Sequence, residues 1–123
     1  MSIEKNRYTH KQLIVWQKSM KLVVEIYKIM RNFPDHEQYA LASQIRRCAV
    51  SIPSNIAEGY GRGSNKELMR FLNIARGSVF ELDTQLEIAR QVNFLSQDQF
   101  DFLGNLLDEI SRLLSGLHKS IST

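Results

Sequence analysis

Arg47, Ser51, Asn55 and Glu58 recur at steps of four and three in the stretch QIRRCAVSIPSNIAEGYGRGS, residues 44–64. On an α-helix that spacing lines up a guanidinium, a hydroxyl, an amide and a carboxylate along one side. Ser78, Glu81 and Gln85 repeat the pattern further along the chain. Such groups suit Arg-to-Glu pairing with hydroxyl support, between helices or between subunits, and the expected role is a polar network that fixes register. A substrate site is the weaker reading. A second set is basic. Arg62, Lys66 and Arg70 stand four apart and continue through Asn73 to Arg76, with Arg46 and Arg47 nearby. Convergent charge of this kind is what phosphate contacts require. Nothing resembles a base-reading helix, and no aromatic platform interleaves the cations, so backbone and shape would be read rather than sequence.

Other chemistries find little support. A carboxylate-bridged di-iron bundle needs Glu-x-x-His motifs, and no Glu here has a His three residues on. His10, His36 and His118 are scattered, so neither a metal nor a cofactor is expected. The GYGRG loop follows a helix and lies in no βαβ unit, which removes the context of a dinucleotide fingerprint. The single cysteine, Cys48, falls among apolar positions with no His close in sequence, and reads as a buried, inert thiol. No leader or apolar run long enough for a membrane appears in the sequence, and a cytoplasmic location is the expectation.

The elements that would position these groups are helices. Ile45, Cys48, Ala49, Ile52 and Ile56 form the apolar side of the residue 44–64 helix, opposite Arg47, Ser51, Ser54, Glu58 and Arg62. Pro53 in its middle removes a backbone donor and is expected to bend it, with Ser51, Ser54 and Asn55 able to bond freed backbone groups. Four pairs read as capping boxes that start four helices: Thr9 with Gln12, Asp35 with Gln38, Ser64 with Glu67, and Ser96 with Gln99. The first helix has an expected seam of Leu13, Trp16, Met20, Val23, Tyr27 and Met30. The second is expected from about His36 to Glu58, with Gly59 as a left-handed cap. Leu68, Leu72, Ala75, Val79, Leu82, Leu86 and Ala89 form the third seam, and Phe100, Leu103, Leu107, Ile110, Leu114, Leu117 and Ile121 the fourth. No strand signal interrupts them.

The expected class is therefore all-α, an antiparallel up-down four-helix bundle with a proline bend in helix two and helices of roughly 23 to 29 residues. Residues 1–123 form one domain, with 1–8 as a loose arm. Phe102, Leu106 and Leu113 widen the apolar arc of helix four beyond one bundle core, which points to self-association. The net charge of +3 conceals a polarity: 13 Lys and Arg against 6 Asp and Glu in residues 1–76, but 3 against 7 in residues 77–123. Such a distribution suits an anionic partner for the basic half, or contact between basic and acidic surfaces of copies.

RRCAVSIPSNIAEG at residues 46–59, FLNIARGS at 71–78 and Glu81-Leu82 resemble the bacterial four-helix bundle family known from proteins encoded in 23S rRNA intervening sequences. The likeness extends to Leu13–Trp16 and the Phe33-Pro34 turn. Cys48 stands where alanine is commoner. In fold the chain is also similar to the accessory proteins of diversity-generating retroelements. The resemblance implies a homopentamer of antiparallel bundles, a basic surface that contacts nucleic acid, and no enzymatic activity. On this reading RNA or DNA binds at Arg46, Arg47, Arg62, Lys66, Arg70 and Arg76. Ser51, Asn55, Glu58, Ser78 and Glu81 form the polar network or interface, and no membrane or small-molecule substrate is involved. The alternative is a scaffold whose polar stripe serves only contacts with itself or a partner protein. A third reading, a small ligand at the bent helix, requires a polar pocket at Pro53.

Overall fold

Residues 9–122 are described in the computed structural model, and the expected arm at 1–8 lies outside them. Among the described residues there are four long helices and no strand: α1 (Ile14–Met30), α2 (Leu41–Gly61), α3 (Asn65–Gln91) and α4 (Gln97–Ser122). Short 3-10 turns at Thr9–Gln12 and Asp35–Glu37 precede α1 and α2. Each helix packs on two others, in the cycle α1, α2, α3, α4 and back to α1, which makes a four-helix bundle. Leu22, Ile26, Ile45, Ile52, Leu72, Leu82, Leu103 and Ile110 are fully enclosed at its centre. Each such side chain contributes about 1.5–3 kcal/mol by leaving water.

The apolar side expected for α2 is buried at all five positions, and so is the whole of the α3 seam. In α4 the seam is buried through its middle, from Leu103 to Leu114, and half-buried at Phe100, Leu117 and Ile121. Of the three residues outside it, Leu106 is buried within the subunit while Phe102 stays 42% exposed. The α1 seam is different from the one expected. Val15, Ser19, Leu22, Ile26 and Met30 face the core, whereas Met20 and Tyr27 are exposed. Ser19 hides this stripe in the sequence. Its hydroxyl donates to the Val15 carbonyl at 2.7 Å, which satisfies a buried polar group without any partner outside the helix.

The helix starts divide in the same way. Ser64 accepts the Glu67 N–H at 3.2 Å, and Ser96 and Gln99 cap one another in both directions. Thr9 and Gln12 instead belong to a 3-10 turn, and Leu13 opens α1 with no side-chain cap. Gln38 is also taken up elsewhere. Its amide donates to the carbonyls of Met30 and Phe33, closing the end of α1, so α2 begins at Leu41, whose N–H is accepted by Glu37. These losses leave α1 at 17 residues and α2 at 21, shorter than expected.

Gly59 is no left-handed cap; α2 runs through it to Gly61, and the positive φ of 82° falls at Gly63. What Gly59 supplies is closeness. A Cβ there would sit 2.9 Å from Phe71 Cβ and 3.1 Å from Leu68 Cδ1. The chain therefore folds back tightly from α2 to α3, and it passes Pro53 within one helix. Ser51 and Asn55 do bond backbone carbonyls beside Pro53, those of Cys48 and Ser51, but neither is the Ala49 carbonyl that the missing donor leaves.

Candidate functional site

Between α2 and α3 the expected polar residues meet. The Ser51 and Ser78 hydroxyl oxygens lie 2.7 Å apart, while Ser51 also bonds the Cys48 carbonyl at 2.6 Å. One Ser51 proton cannot serve both, so with it on the carbonyl Ser78 is the donor across the interface. The Cys48 thiol donates to the Ser78 carbonyl at 3.1 Å. Burial pushes that thiol up to about 12, and the charge of the Glu81 carboxylate beside it adds to the rise. A thiol so protonated is no nucleophile near neutrality. Glu81 in turn accepts from Gln85, whose own side-chain oxygen is buried without a donor.

Arg47, Ser51, Asn55, Ser78 and Glu81 line one open groove of about 330 Å³, with Ile74 on its rim. Glu58 does not join them. It pairs with Arg62 on its own helix at 2.7 Å. In place of the expected Arg-to-Glu pairing, a hydroxyl and a thiol contact join α2 to α3. Arg47 has no acidic partner among the described residues, although Glu81 shares its groove.

The basic residues fall into two places. At the α2–α3 corner Arg62 and Arg70 place their guanidinium carbons 5.1 and 5.0 Å from the centre of the Phe71 ring. Phe71 is buried, so it is no base-stacking platform; it holds two cations together, a role the sequence alone did not reveal. Arg62 is matched by Glu58 and Arg70 by Glu67 at 3.5 Å. The hydrogen bond that Arg62 donates to Glu58 raises the Arg62 pKa further. Lys66, exposed, and Arg76, half-buried, have no acidic partner among the described residues. Arg46 sits elsewhere. Its guanidinium donates to the Gln38 side-chain oxygen at 3.1 Å and carbonyl at 2.7 Å, and lies over Tyr27, which ties the start of α2 to the end of α1.

At Pro53 the surface is a largely apolar groove with Trp16, Met20, Val23 and Val50, not a polar pocket. Among the described residues no three His, Cys, Asp or Glu side chains are grouped to hold a metal ion. No helix described is long and apolar enough to cross a membrane.

Fold and site together define a small all-α bundle whose distinctive chemistry is an interhelical hydrogen-bonded seam beside a cluster of cations. The chain belongs to the 23S rRNA-intervening sequence protein family, whose model matches residues 11–116. Its structure is similar to the crystal structure of a protein of unknown function from the S23 ribosomal protein family of Bacteroides thetaiotaomicron. The two are 26% identical, with a TM-score of 0.81 over 86% of this chain and 96% of that one. No curated protein matches this chain.

Proposed function

We propose that this protein is a non-enzymatic, cytoplasmic homo-oligomer, a pentamer by its resemblance, that binds RNA or DNA through phosphates in association with 23S rRNA intervening sequences. The observation that carries the reading is the α2–α3 corner. Arg62 and Arg70 are held about a single ring, while Lys66 and Arg76 on the same helix have no acidic partner among the described residues. From Lys66 to Arg76 the ridge runs about 15 Å at 1.5 Å per residue, enough to meet successive phosphates. Arg46 contributes to the fold rather than to this ridge, since its guanidinium bonds Gln38 and lies over Tyr27.

The test is a binding titration of a structured RNA hairpin against salt. Binding at low salt is expected to weaken steeply as salt rises. Charge reversal at Lys66 and Arg70 together is expected to lower the slope of log affinity against log salt by about 2, one per lost phosphate contact. Absence of binding at low salt, or indifference to the reversal, would sink the reading. The alternative, a scaffold that contacts only protein, is favoured by the groove in which Arg47 and Glu81 lie without pairing. Light scattering addresses it, because a monomer at micromolar concentration removes the scaffold.

A further inference from the structure

Phe80 stands 70% exposed in the middle of α3, although a solvated helix face gains nothing from a phenyl ring. It borders a groove of about 210 Å³ between α3 and α4, floored by Val79, Leu107 and Gly104 and flanked by Asp83 and Asp108. No atom lies within 4 Å of where a Gly104 Cβ would be, so the groove is open above the glycine. Asp108 is held by Arg112, but Asp83 has no basic partner among the described residues. This face is apolar and acidic.

A face of the opposite character lies across the bundle, between α1 and α2. There an apolar groove of about 360 Å³ includes Trp16, Met20 and Val23. Beyond Val50 it continues into a groove of about 390 Å³ with Tyr27, Arg46 and Arg47. Met20, Tyr27 and Val50 are 38%, 46% and 38% exposed, and Arg47 on this groove has no acidic partner among the described residues. The charge of the chain leans the same way, with 7 Lys and Arg against 4 Asp and Glu in residues 9–61, which carry α1 and α2, and 6 against 8 in residues 65–122, which carry α3 and α4.

We infer that the α3–α4 face carrying Phe80 and Asp83 docks on the α1–α2 face of a second copy of this chain, with Phe80 against the Val50 groove and Asp83 toward Arg47. The inference rests on the homo-oligomer proposed above and names its surfaces. Apolar surface meets apolar surface, and Asp83, without a basic partner among the described residues, meets Arg47, without an acidic one. Donor and acceptor faces lie on different sides of the subunit, so the contact is heterologous, and repetition gives a closed ring or an open filament rather than an isolated pair. Arg47 is then a subunit contact, and the phosphate ridge consists of Arg62, Lys66, Arg70 and Arg76.

Sedimentation velocity of the full chain at tens of micromolar tests this, with circular dichroism to verify helicity. The wild type is expected to assemble. Phe80→Ser, Asp83→Arg and Arg47→Asp are each expected to weaken assembly at least tenfold while leaving the helical spectrum in place. Asp83→Arg combined with Arg47→Asp is expected to recover assembly, an outcome that mere misfolding cannot produce. An assembled wild type that ignores Phe80→Ser, or a double variant no better than its parents, overturns these surfaces and leaves the oligomer standing on others. A monomeric wild type overturns both.

Discussion

Two sides of the bundle are joined in different ways. Along the α2–α3 contact small residues bring the backbones together: Gly59 lies against Phe71, and Cys48 and Ser51 reach Ser78 directly. Between α1 and α4 larger side chains keep the helices apart, leaving a groove of about 330 Å³ beside Leu13, Val15, Leu113 and Leu117. A half-exposed ion pair, Lys18 with Glu109 at 3.3 Å, bridges that side. Close approach makes the first contact specific and intolerant of added volume. The second depends on apolar burial that many side chains can provide.

The largest effect should come from adding volume at the close approach. Gly59→Val is expected to destabilise the fold by about 3 kcal/mol, because the obstructing atom is Phe71 Cβ, fixed to backbone rather than at a mobile end. Gly77→Ala, where no atom lies within 4 Å, should change sign and stabilise by about 0.5–1 kcal/mol through helix propensity alone. Urea titration of both variants checks the pair. Equal and small effects would mean that the α2–α3 backbones have room to spare.

Next in size is the hydroxyl contact across the same interface. Ser78→Ala removes the Ser51 partner but keeps the Ser78 carbonyl that the thiol bonds, and should cost about 1 kcal/mol. A double-mutant cycle with Ser51→Ala should return most of that as coupling, since the two hydroxyls bond each other across the interface. Strictly additive losses would reduce the hydroxyl pair to two independent surface serines.

The same contrast explains what could be read from the residues alone. On α3 every apolar position of the seam faces the core, so periodicity placed all seven residues correctly. On α1 a buried serine interrupts the stripe, so counting apolar residues selected a seam rotated off the buried one: Met30 is buried and Leu13, Trp16 and Val23 pack against the core, but Met20 and Tyr27 lie outside. Capping chemistry was legible where a Ser stood at the start, at Ser64 and Ser96. It failed at Gln38, whose side chain bonds the end of the preceding helix, a contact eight residues away that no local pattern encodes. The polar stripe was recognisable as a set. Its division, with Ser51, Asn55, Ser78 and Glu81 on one groove and Glu58 bound to Arg62, depends on the rotation of α2 against α3. Phe71 between two arginines was equally invisible, because a core position gives no hint that guanidinium groups lie over its ring.

The smallest effect belongs to the α1–α4 side and separates the two kinds of contact most clearly. Lys18 and Glu109 have side chains 37% and 40% exposed, so water screens their attraction and each loses side-chain freedom on pairing. Lys18→Met, which keeps the aliphatic stem, should cost about 0.5 kcal/mol or less at low ionic strength. In 1 M salt, where the screening length is about 3 Å, the cost should vanish. The cost of Ser78→Ala should persist there, since a short hydrogen bond between neutral groups needs no long-range field. Urea titrations of both variants at the two salt concentrations make the measurement. A Lys18 effect as large as that of Ser78, or one untouched by salt, would show that the loose side is held by a specific contact after all. The distinction drawn between the two interfaces would then fail.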